Sequence, residues 1–123
     1  RRFMLRLAEK ISEMEKAQAL ITGDAIGQVA SQTLENIKTI SGVCGIPVLR
    51  PLIGFDKEEI INKAKEIGTY EISILPHCDT CTRFMPLHPA TRANIEIVKK
   101  IEENLDVDKL VEDAIKRAEI LEI

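Results

Sequence analysis

The sequence predicts a parallel α/β fold. Three features predict it: two short apolar runs that suit buried strands, amphipathic segments with helical spacing, and the alternation of the two from residue 3 to residue 68. Helices that alternate with strands are typical of parallel sheets, because each crossover helix packs back onto the sheet. Two strands are too few for a stable open sheet. We therefore expect further strands from an upstream segment or a partner chain.

The first predicted unit is a helix followed by a strand. Apolar residues recur at helical spacing over residues 3–17, which predicts an amphipathic helix. The short apolar run Ala-Leu-Ile-Thr at 19–22 follows and stops at Gly23. A run of this length and composition is typical of a strand buried in a parallel sheet.

A second helix and a second strand are predicted next. The stretch 25–40 places apolar side chains on one helical face, and Gly42 lies beyond it as a stop signal. Residues 46–51 predict the second strand. Because Pro51 has no N–H to donate to a neighbouring strand, it would end the pairing there.

The second half of the chain is predicted to be helical apart from one long loop. Asp56 and Glu59 have the spacing of a capping box and predict a helix start, and Gly68 predicts its end. Residues 74–90 contain three prolines and no regular period, so we expect an irregular cysteine loop there. The last periodic segments predict two C-terminal helices, at about 91–103 and 107–121.

Length and composition restrict the class of protein. A chain of 123 residues with 45% hydrophobic and 30% charged residues suits one ordinary globular domain. No apolar run is long enough to span a bilayer, and three cysteines do not form a secreted disulfide framework. We therefore expect a cytoplasmic protein without a membrane partner. The net charge of −3 argues against a wholly basic nucleic-acid-binding domain, although a local basic patch is compatible with it.

The stretch from Gly23 to Gln32 is the first candidate site. In open parallel sheets, ligands bind beyond the carboxyl ends of strands, and a helix N-terminus there attracts anions. Gly23 would allow a sharp turn and a close approach of the ligand. The amide of Gln32 has donors and an acceptor, which suit an adenine edge or a phosphate. Since a plain turn has the same spacing, these residues alone leave nucleotide binding and a structural turn both open.

The cysteine loop is the second candidate site. Cys78 and Cys81 have C-x-x-C spacing, with His77 and His88 nearby. This spacing suits sulfur transfer, because it commonly lowers the pKa of one thiol. It also supplies half of an iron–sulfur ligand set, which Cys44 or an upstream cysteine would complete. Two further interpretations stay open: a zinc site that includes a histidine, and surface cysteines without a task.

Three other polar residues lie near these sites. We expect Cys44 to be a buried structural thiol. Asp24 follows the first strand, and we expect it to stabilise the turn there. Arg50 lies at the end of the second strand. Contact with a phosphate and a surface ion pair are both open for this side chain.

Two longer stretches carry a family resemblance. The sequences TGDAIGQVASQTLENI at 22–37 and RPLIGFDKEEIINKAKEIGTYEISI at 50–74 precede the cysteine loop with its His-Pro-Ala-Thr. Together they resemble the tRNA 4-thiouridine synthetases, or tRNA sulfurtransferases, of the thiamine-biosynthesis-type PP-loop ATP pyrophosphatases. The resemblance covers roughly residues 1–92. It implies a three-layer, parallel-sheet adenine nucleotide α-hydrolase-like (Rossmann-like) domain. Residues 1–123 would be its carboxy-terminal part with two extra C-terminal helices.

The resemblance also implies an activity and its residues. In the family, ATP adenylates a uridine of tRNA, and a persulfide sulfur then displaces AMP to give 4-thiouridine. Arg1, Gly23 and Gln32 match the family's nucleotide contacts, and Cys81 matches its sulfur-handling cysteine. If Cys81 carries a persulfide, Cys78 would be the thiol that resolves it. The implied cofactor is ATP with Mg²⁺. The implied partners are tRNA, a sulfur donor such as a cysteine desulfurase, and the upstream part of the PP-loop domain; a homodimer is compatible with all of these.

Two departures from the family pattern affect the expectation. The phosphate-binding Ser-Gly-Gly-x-Asp-Ser loop does not occur in these residues, and the chain starts inside an amphipathic segment without an initiator methionine. We therefore expect a fragment that does not complete adenylation alone. Many relatives have adjacent cysteines, whereas Asp79 and Thr80 separate Cys78 from Cys81 here. An iron–sulfur or zinc module without catalysis, and a PP-loop enzyme that thiolates another base, are competing hypotheses.

Overall fold

The computed structural model describes residues 1–29, 32–76 and 90–121. Within these ranges the chain forms six helices and two strands. They are, in chain order, α1 (Arg2–Met14), β1 (Leu20–Ile21), α2 (Leu34–Ser41), β2 (Val48–Leu49), α3 (Lys57–Glu66), α4 (Tyr70–Ser73), α5 (Ile95–Glu102) and α6 (Val107–Lys116). In the described part of the chain, no helix is long and apolar enough to cross a membrane.

The two strands pair in parallel, which confirms the predicted α/β class. Leu20 lies opposite Val48, and Ile21 lies opposite Leu49. Each strand has two residues, so both are shorter than the predicted 19–22 and 46–51. The second strand ends because Ile53 N donates to Arg50 O at 3.2 Å and closes a turn there. The described residues leave Ile21 and Leu49 exposed on one face of the sheet.

Helix α1 is the central element of the structure. It packs against α2, β1 and α6, with Leu5 buried beneath it. Its Glu9 carboxylate accepts hydrogen bonds from the backbone N–H groups of Gly45 at 2.5 Å and Ile46 at 3.2 Å. This contact ties the helix to the turn that enters β2. The helix ends at Met14, three residues before the predicted end at residue 17, and Lys16 beyond it has a left-handed φ of 56°.

Helix α2 begins much later than predicted. The pattern over 25–40 predicted one continuous helix, but the structure starts it at Leu34. Thr33 caps the helix, since its Oγ1 accepts from Asn36 N at 3.2 Å. Before the cap, Gly27 has a φ of 79°, and its N–H donates to the carbonyl of Gln32 at 3.0 Å. Gln32 therefore lies in the turn before the helix.

The second half of the chain follows the local capping rules. The predicted capping box is confirmed: Glu59 N donates to Asp56 Oδ1 at 2.9 Å, and Asp56 N donates to Glu59 Oε2 at 2.8 Å. Gly68, just beyond α3, has the left-handed φ of 74° that its predicted stop role requires. Helix α5 begins at Ile95 instead of 91, because the Asn94 side chain caps it. The short helix α4 was not predicted.

One other boundary differs from the sequence-based expectation. Helix α6 is capped by Asp106 and ends at Lys116, five residues before the predicted end at 121. The cysteine loop predicted at 74–90 falls largely on residues 77–89, which lie outside the described ranges. The irregular loop therefore stays a prediction.

Candidate functional site

A cavity of about 320 Å³ lies beyond the carboxyl end of β1. This volume is at the low end of the range typical of small-molecule sites, roughly 300–1,000 Å³. Its apolar wall comes from α1 and α2, through Met4, Leu5, Ile37 and Ile40. Its polar groups come from the chain start, the turn after β1 and the end of β2, through Arg1, Thr22, Gly23, Asp24, Gln32 and Arg50.

The cavity brings together Arg1, Gly23 and Gln32, the three residues that the resemblance implied as nucleotide contacts. A Cβ atom added at Gly23 would have no atom within 4 Å, so the backbone there is open to a ligand. The left-handed glycine of this turn is Gly27, not Gly23. The helix N-terminus expected directly after Gly23 is not there, because α2 starts at Leu34.

Gln32 contributes a buried acceptor to the cavity. Its Oε1 atom is buried and has no hydrogen-bond partner among the described residues. A buried acceptor without a donor costs about 1–3 kcal/mol. A ligand with an N–H group in the cavity would supply the missing donor. This acceptor makes the cavity a candidate binding site.

Asp24 and Arg50 form an ion pair in the cavity wall. Arg50 Nε lies 3.1 Å from Asp24 Oδ2, and Thr22 Oγ1 donates to the same oxygen at 2.8 Å. The bond from Thr22 agrees with the turn-stabilising role expected of Asp24. The Arg50 side chain is only 13% exposed. The ion pair of Arg50 with Asp24 is therefore largely buried and is not a surface ion pair. The sequence did not indicate that Arg50 lies in the cavity wall.

Arg1 approaches the same carboxylate from the cavity mouth. Its Nη1 lies 3.8 Å from Asp24 Oδ1, and its side chain is 48% exposed. Among the described residues, the Arg1 guanidinium is within hydrogen-bonding distance of no acceptor. Its donors therefore face the cavity and solvent, where an anionic group of a ligand would meet them.

The neighbouring Arg2 anchors the start of α1 and so places Arg1. Arg2 donates to Glu102 through Nε at 2.9 Å and Nη2 at 2.8 Å, and Nη1 donates to the Thr39 carbonyl at 2.6 Å. Arg6 adds bonds of 3.1 and 2.8 Å to the same carboxylate. Hydrogen bonds from Arg6 and Arg2 lower the pKa of Glu102 to about 2. No sequence pattern indicated this cluster, because its members lie on α1 and α5.

The other face of α2 binds the segment that follows the cysteine loop. Asn36 Nδ2 donates to Ala90 O at 2.7 Å, and Asn36 Oδ1 accepts from Ala93 N at 2.8 Å. Thr33 Oγ1 donates to Thr91 O at 2.6 Å. Helix α2 thus contacts the cavity with one face and holds residues 90–93 with the other.

The predicted sulfur-handling residues lie outside the described ranges. Cys78 and Cys81, with His77 and His88, fall within residues 77–89. Cys44 is described: it is half-buried and not in a disulfide. Burial raises the pKa of its thiol, which favours the protonated form over the reactive thiolate. In residues 1–29, 32–76 and 90–121, no group of three His, Cys, Asp or Glu side chains could hold a metal ion.

The sequence of this chain matches a known protein family over most of its length. The family described as thiamine biosynthesis protein (ThiI) matches residues 1–107. The chain belongs to the ThiI family. The resemblance inferred from the glycine–glutamine turn and the cysteine loop is thereby confirmed.

Curated ThiI-family relatives are similar over the whole chain. It is 53% identical over 123 residues to the "Probable tRNA sulfurtransferase" of Brevibacillus brevis, of which it covers 31%. It is 53% identical over 121 residues to the protein of the same description from Thermus thermophilus, of which it covers 30%. The chain therefore spans about a third of the length of the curated relatives it matches.

A solved structure shows the same fold. It is a "Crystal structure of a 4-thiouridine synthetase - RNA complex with bound ATP", and it matches with a TM-score of 0.87 and 55% sequence identity. The match covers 94% of this chain and 30% of that chain. The α/β fold predicted for this ThiI-family chain is therefore that of the corresponding part of a 4-thiouridine synthetase.

Proposed function

We propose that this chain is the part of an ATP-dependent tRNA sulfurtransferase that binds the adenine nucleotide and carries the sulfur-handling cysteines. One observation carries the proposal: Arg1, Gly23 and Gln32 line a single cavity, in which Gln32 Oε1 is a buried acceptor without a partner among the described residues. The likeness to a 4-thiouridine synthetase with bound ATP and RNA supports it.

Each cavity group has a role that suits an adenine nucleotide. The apolar side chains from α1 and α2 form a wall for the flat base. Gln32 Oε1 accepts a hydrogen bond from the exocyclic amine of adenine. Gly23 allows the ligand to approach the backbone, since nothing occupies the space where a side chain would lie. Arg1, at the mouth, pairs with a phosphate oxygen.

The nucleotide activates the uridine of tRNA. ATP transfers AMP to the carbonyl oxygen of the base with loss of pyrophosphate, and AMP then becomes the leaving group that sulfur displaces. Mg²⁺ would accompany the phosphates, as it does in other nucleotide-using enzymes. The described residues hold no group of three His, Cys, Asp or Glu side chains for a metal ion, but Mg²⁺ is usually held by one or two carboxylates together with the phosphates themselves.

Cys81 delivers the sulfur in this proposal. A persulfide on Cys81 attacks the activated carbon, AMP leaves, and the base is then linked to Cys81 through a disulfide. The Cys78 thiolate attacks Cys81 Sγ and releases the 4-thio base, which leaves a Cys78–Cys81 disulfide. A cellular thiol reduces this disulfide, and a donor protein such as a cysteine desulfurase reloads the persulfide. The setting is the cytoplasm, as a single enzyme or a homodimer.

The test uses the complete enzyme that contains this chain. Cys81→Ser is expected to retain adenylation, measured as tRNA-dependent release of pyrophosphate from ATP, and to lose 4-thiouridine in the tRNA. Cys44→Ser is the matched control, because Cys44 is half-buried with a raised pKa, and it should retain both activities. Thiolation that survives in Cys81→Ser would overturn the sulfur role. Visible absorption of a cysteine-ligated cluster in the purified enzyme would favour the iron–sulfur hypothesis instead.

A further inference from the structure

Asp24 places a negative charge in the cavity that we propose for a nucleotide. Its carboxylate lines the cavity together with Arg1 and Gln32 and is 20% exposed. A carboxylate beside a phosphate costs binding energy, because like charges repel strongly where water is partly excluded. A nucleotide site that contains this carboxylate therefore needs a nearby positive charge to neutralise it.

Arg50 supplies that compensation and is held in place by its other hydrogen bonds. All three guanidinium nitrogens are used: Nε bonds Asp24 Oδ2 at 3.1 Å, Nη1 bonds the Val48 carbonyl at 3.2 Å, and Nη2 bonds Ser41 Oγ at 2.7 Å. Its side chain is 13% exposed. The guanidinium thus lies fixed between the end of β2, the end of α2 and the turn after β1.

Among the described residues that line the cavity, the charged side chains are Arg1, Asp24 and Arg50, which leave one surplus positive charge. Arg50 balances Asp24 at 3.1 Å, and Arg1, which makes a longer ion pair of 3.8 Å with the second carboxylate oxygen, is the cation at the mouth. Without Arg50, Asp24 would instead balance Arg1, and the cavity would lose its attraction for phosphate. In this arrangement the charge of Arg50, which also lines the cavity, acts on a ligand through Asp24.

We infer that Arg50 is a positioning residue for nucleotide phosphate: it neutralises Asp24 so that Arg1 stays available to the ligand. This inference rests on the proposed nucleotide function of the cavity. It makes a distinctive prediction, since the loss of Arg50 should harm charged ligands only, and removal of the Asp24 charge should repair the harm.

The experiment compares ATP with adenosine, which lacks phosphates, by equilibrium binding to the complete enzyme. Arg50→Gln is expected to weaken ATP binding on the order of tenfold, as the loss of one compensating charge in a partly buried site implies. Adenosine binding should change by less than about twofold. Adding Asp24→Asn to Arg50→Gln should recover most of the lost ATP affinity, because the uncompensated carboxylate is gone.

Lys63→Gln is the matched control. Lys63 also pairs with a carboxylate, Glu66, at 2.9 Å, but it lies on α3 and does not line this cavity. It should leave the affinities for ATP and adenosine unchanged. If Arg50→Gln does not fold, the ion pair of Asp24 and Arg50 is tested through Asp24 instead. Asp24→Asn alone should tighten ATP binding and leave the affinity for adenosine unchanged.

Three results would overturn the inference. Equal weakening of ATP and adenosine in Arg50→Gln would show a merely structural role. Failure of Asp24→Asn to recover ATP affinity would show that Arg50 does not act through that carboxylate, and weaker ATP binding by Asp24→Asn alone would contradict the charge argument. A wild-type enzyme whose cavity binds neither ATP nor adenosine would instead overturn the proposed function itself, so the two failures are distinguishable.

Discussion

Arg2 and Glu102 form a two-bond fork, with N–O distances of 2.9 and 2.8 Å, across 100 positions of the chain. Arg2 is 9% exposed and Glu102 is 15% exposed, so water screens the pair weakly. The fork joins the start of α1 to the end of α5. Because Arg1 precedes Arg2 directly, the same contact fixes the cation at the mouth of the cavity.

Removing the carboxylate of this fork should destabilise the protein. Glu102→Gln leaves Arg2 and Arg6 without their shared counter-ion in a partly buried site, which we expect to cost about 2–3 kcal/mol. Chemical denaturation of the complete enzyme measures the change in the free energy of unfolding. Glu103→Gln is the control, since Glu103 is exposed and forms no ion pair within the described ranges. Equal stability of the two variants would contradict the role of the fork.

The same fork makes stability depend on pH in the acid range. Hydrogen bonds from Arg6 and Arg2 lower the pKa of Glu102 from 4.5 to about 2. A carboxyl group whose pKa is lower in the folded state contributes stability above its unfolded pKa and loses it as the pH falls through the folded value. The contribution should therefore decline between pH 4.5 and about pH 2. Denaturation at several pH values should show a steeper decline for the wild type than for Glu102→Gln, and parallel curves would refute the assignment.

Asn36 should be a main stabilising contact of the segment after the cysteine loop. Its side chain is 4% exposed and bonds both Ala90 O and Ala93 N. Asn36→Ala leaves two backbone groups without these partners, and we expect a loss of about 2–3 kcal/mol in unfolding free energy. Asn104→Ala is the control, because the exposed Asn104 side chain bonds the nearby Ile101 carbonyl and no other group of the described residues. Hydrogen exchange at Ala93 N–H should accelerate in Asn36→Ala alone; unchanged exchange would contradict the anchor.

Local rules predicted part of this fold well. The capping box at Asp56 and Glu59 and the glycine stop at Gly68 depend on residues that lie close together in the chain, and both occur as expected. The predicted start of α2 was wrong, although the apolar spacing over 25–40 suits a helix. Apolar spacing does not show where a helix begins. Here a turn with the left-handed Gly27 occupies the first part of the segment, and the Thr33 cap starts the helix after it.

The candidate site also contains some residues that the sequence indicated and others that it did not. The place of Gly23 after a strand made it a candidate, because parallel strands present their carboxyl ends to ligands. Gln32 was expected inside a helix, and its assignment as a nucleotide contact came from the family resemblance. The ion pair of Asp24 with Arg50 joins two strand ends 26 positions apart, and the fork of Arg2 with Glu102 spans 100 positions. Such contacts form only when the elements pack, so no periodicity in the sequence records them.

A methyl group at Gly23 should separate nucleotide binding from stability. A Cβ atom there meets nothing within 4 Å, so Gly23→Ala should change the free energy of unfolding by less than about 1 kcal/mol. The methyl group would, however, occupy cavity space, and we expect ATP affinity to fall severalfold. Gly54→Ala is the matched control, since its added Cβ also meets nothing within 4 Å and Gly54 does not line the cavity. Unchanged ATP binding in Gly23→Ala would remove Gly23 from the site.

Gln32 offers the sharpest contrast between stability and binding. Its Oε1 is a buried acceptor without a partner in the described part of the chain, so the ligand-free protein carries the cost of desolvating it. Gln32→Met keeps the size of the side chain and removes this acceptor. We expect the thermal stability of the ligand-free enzyme to stay level or rise, while ATP affinity falls on the order of tenfold because the adenine amine loses its acceptor.

Two measurements on the complete enzyme test this contrast: thermal unfolding without nucleotide and equilibrium ATP binding. The matched control is Gln28→Met, because Gln28 lies exposed in the same turn and does not line the cavity. It should leave ATP affinity unchanged. A Gln32→Met enzyme that is less stable but binds ATP normally would mean that the buried oxygen belongs to the fold and not to the site. Opposite changes in stability and affinity are the signature of a group held ready for a ligand, since a residue that only packs would lower both together.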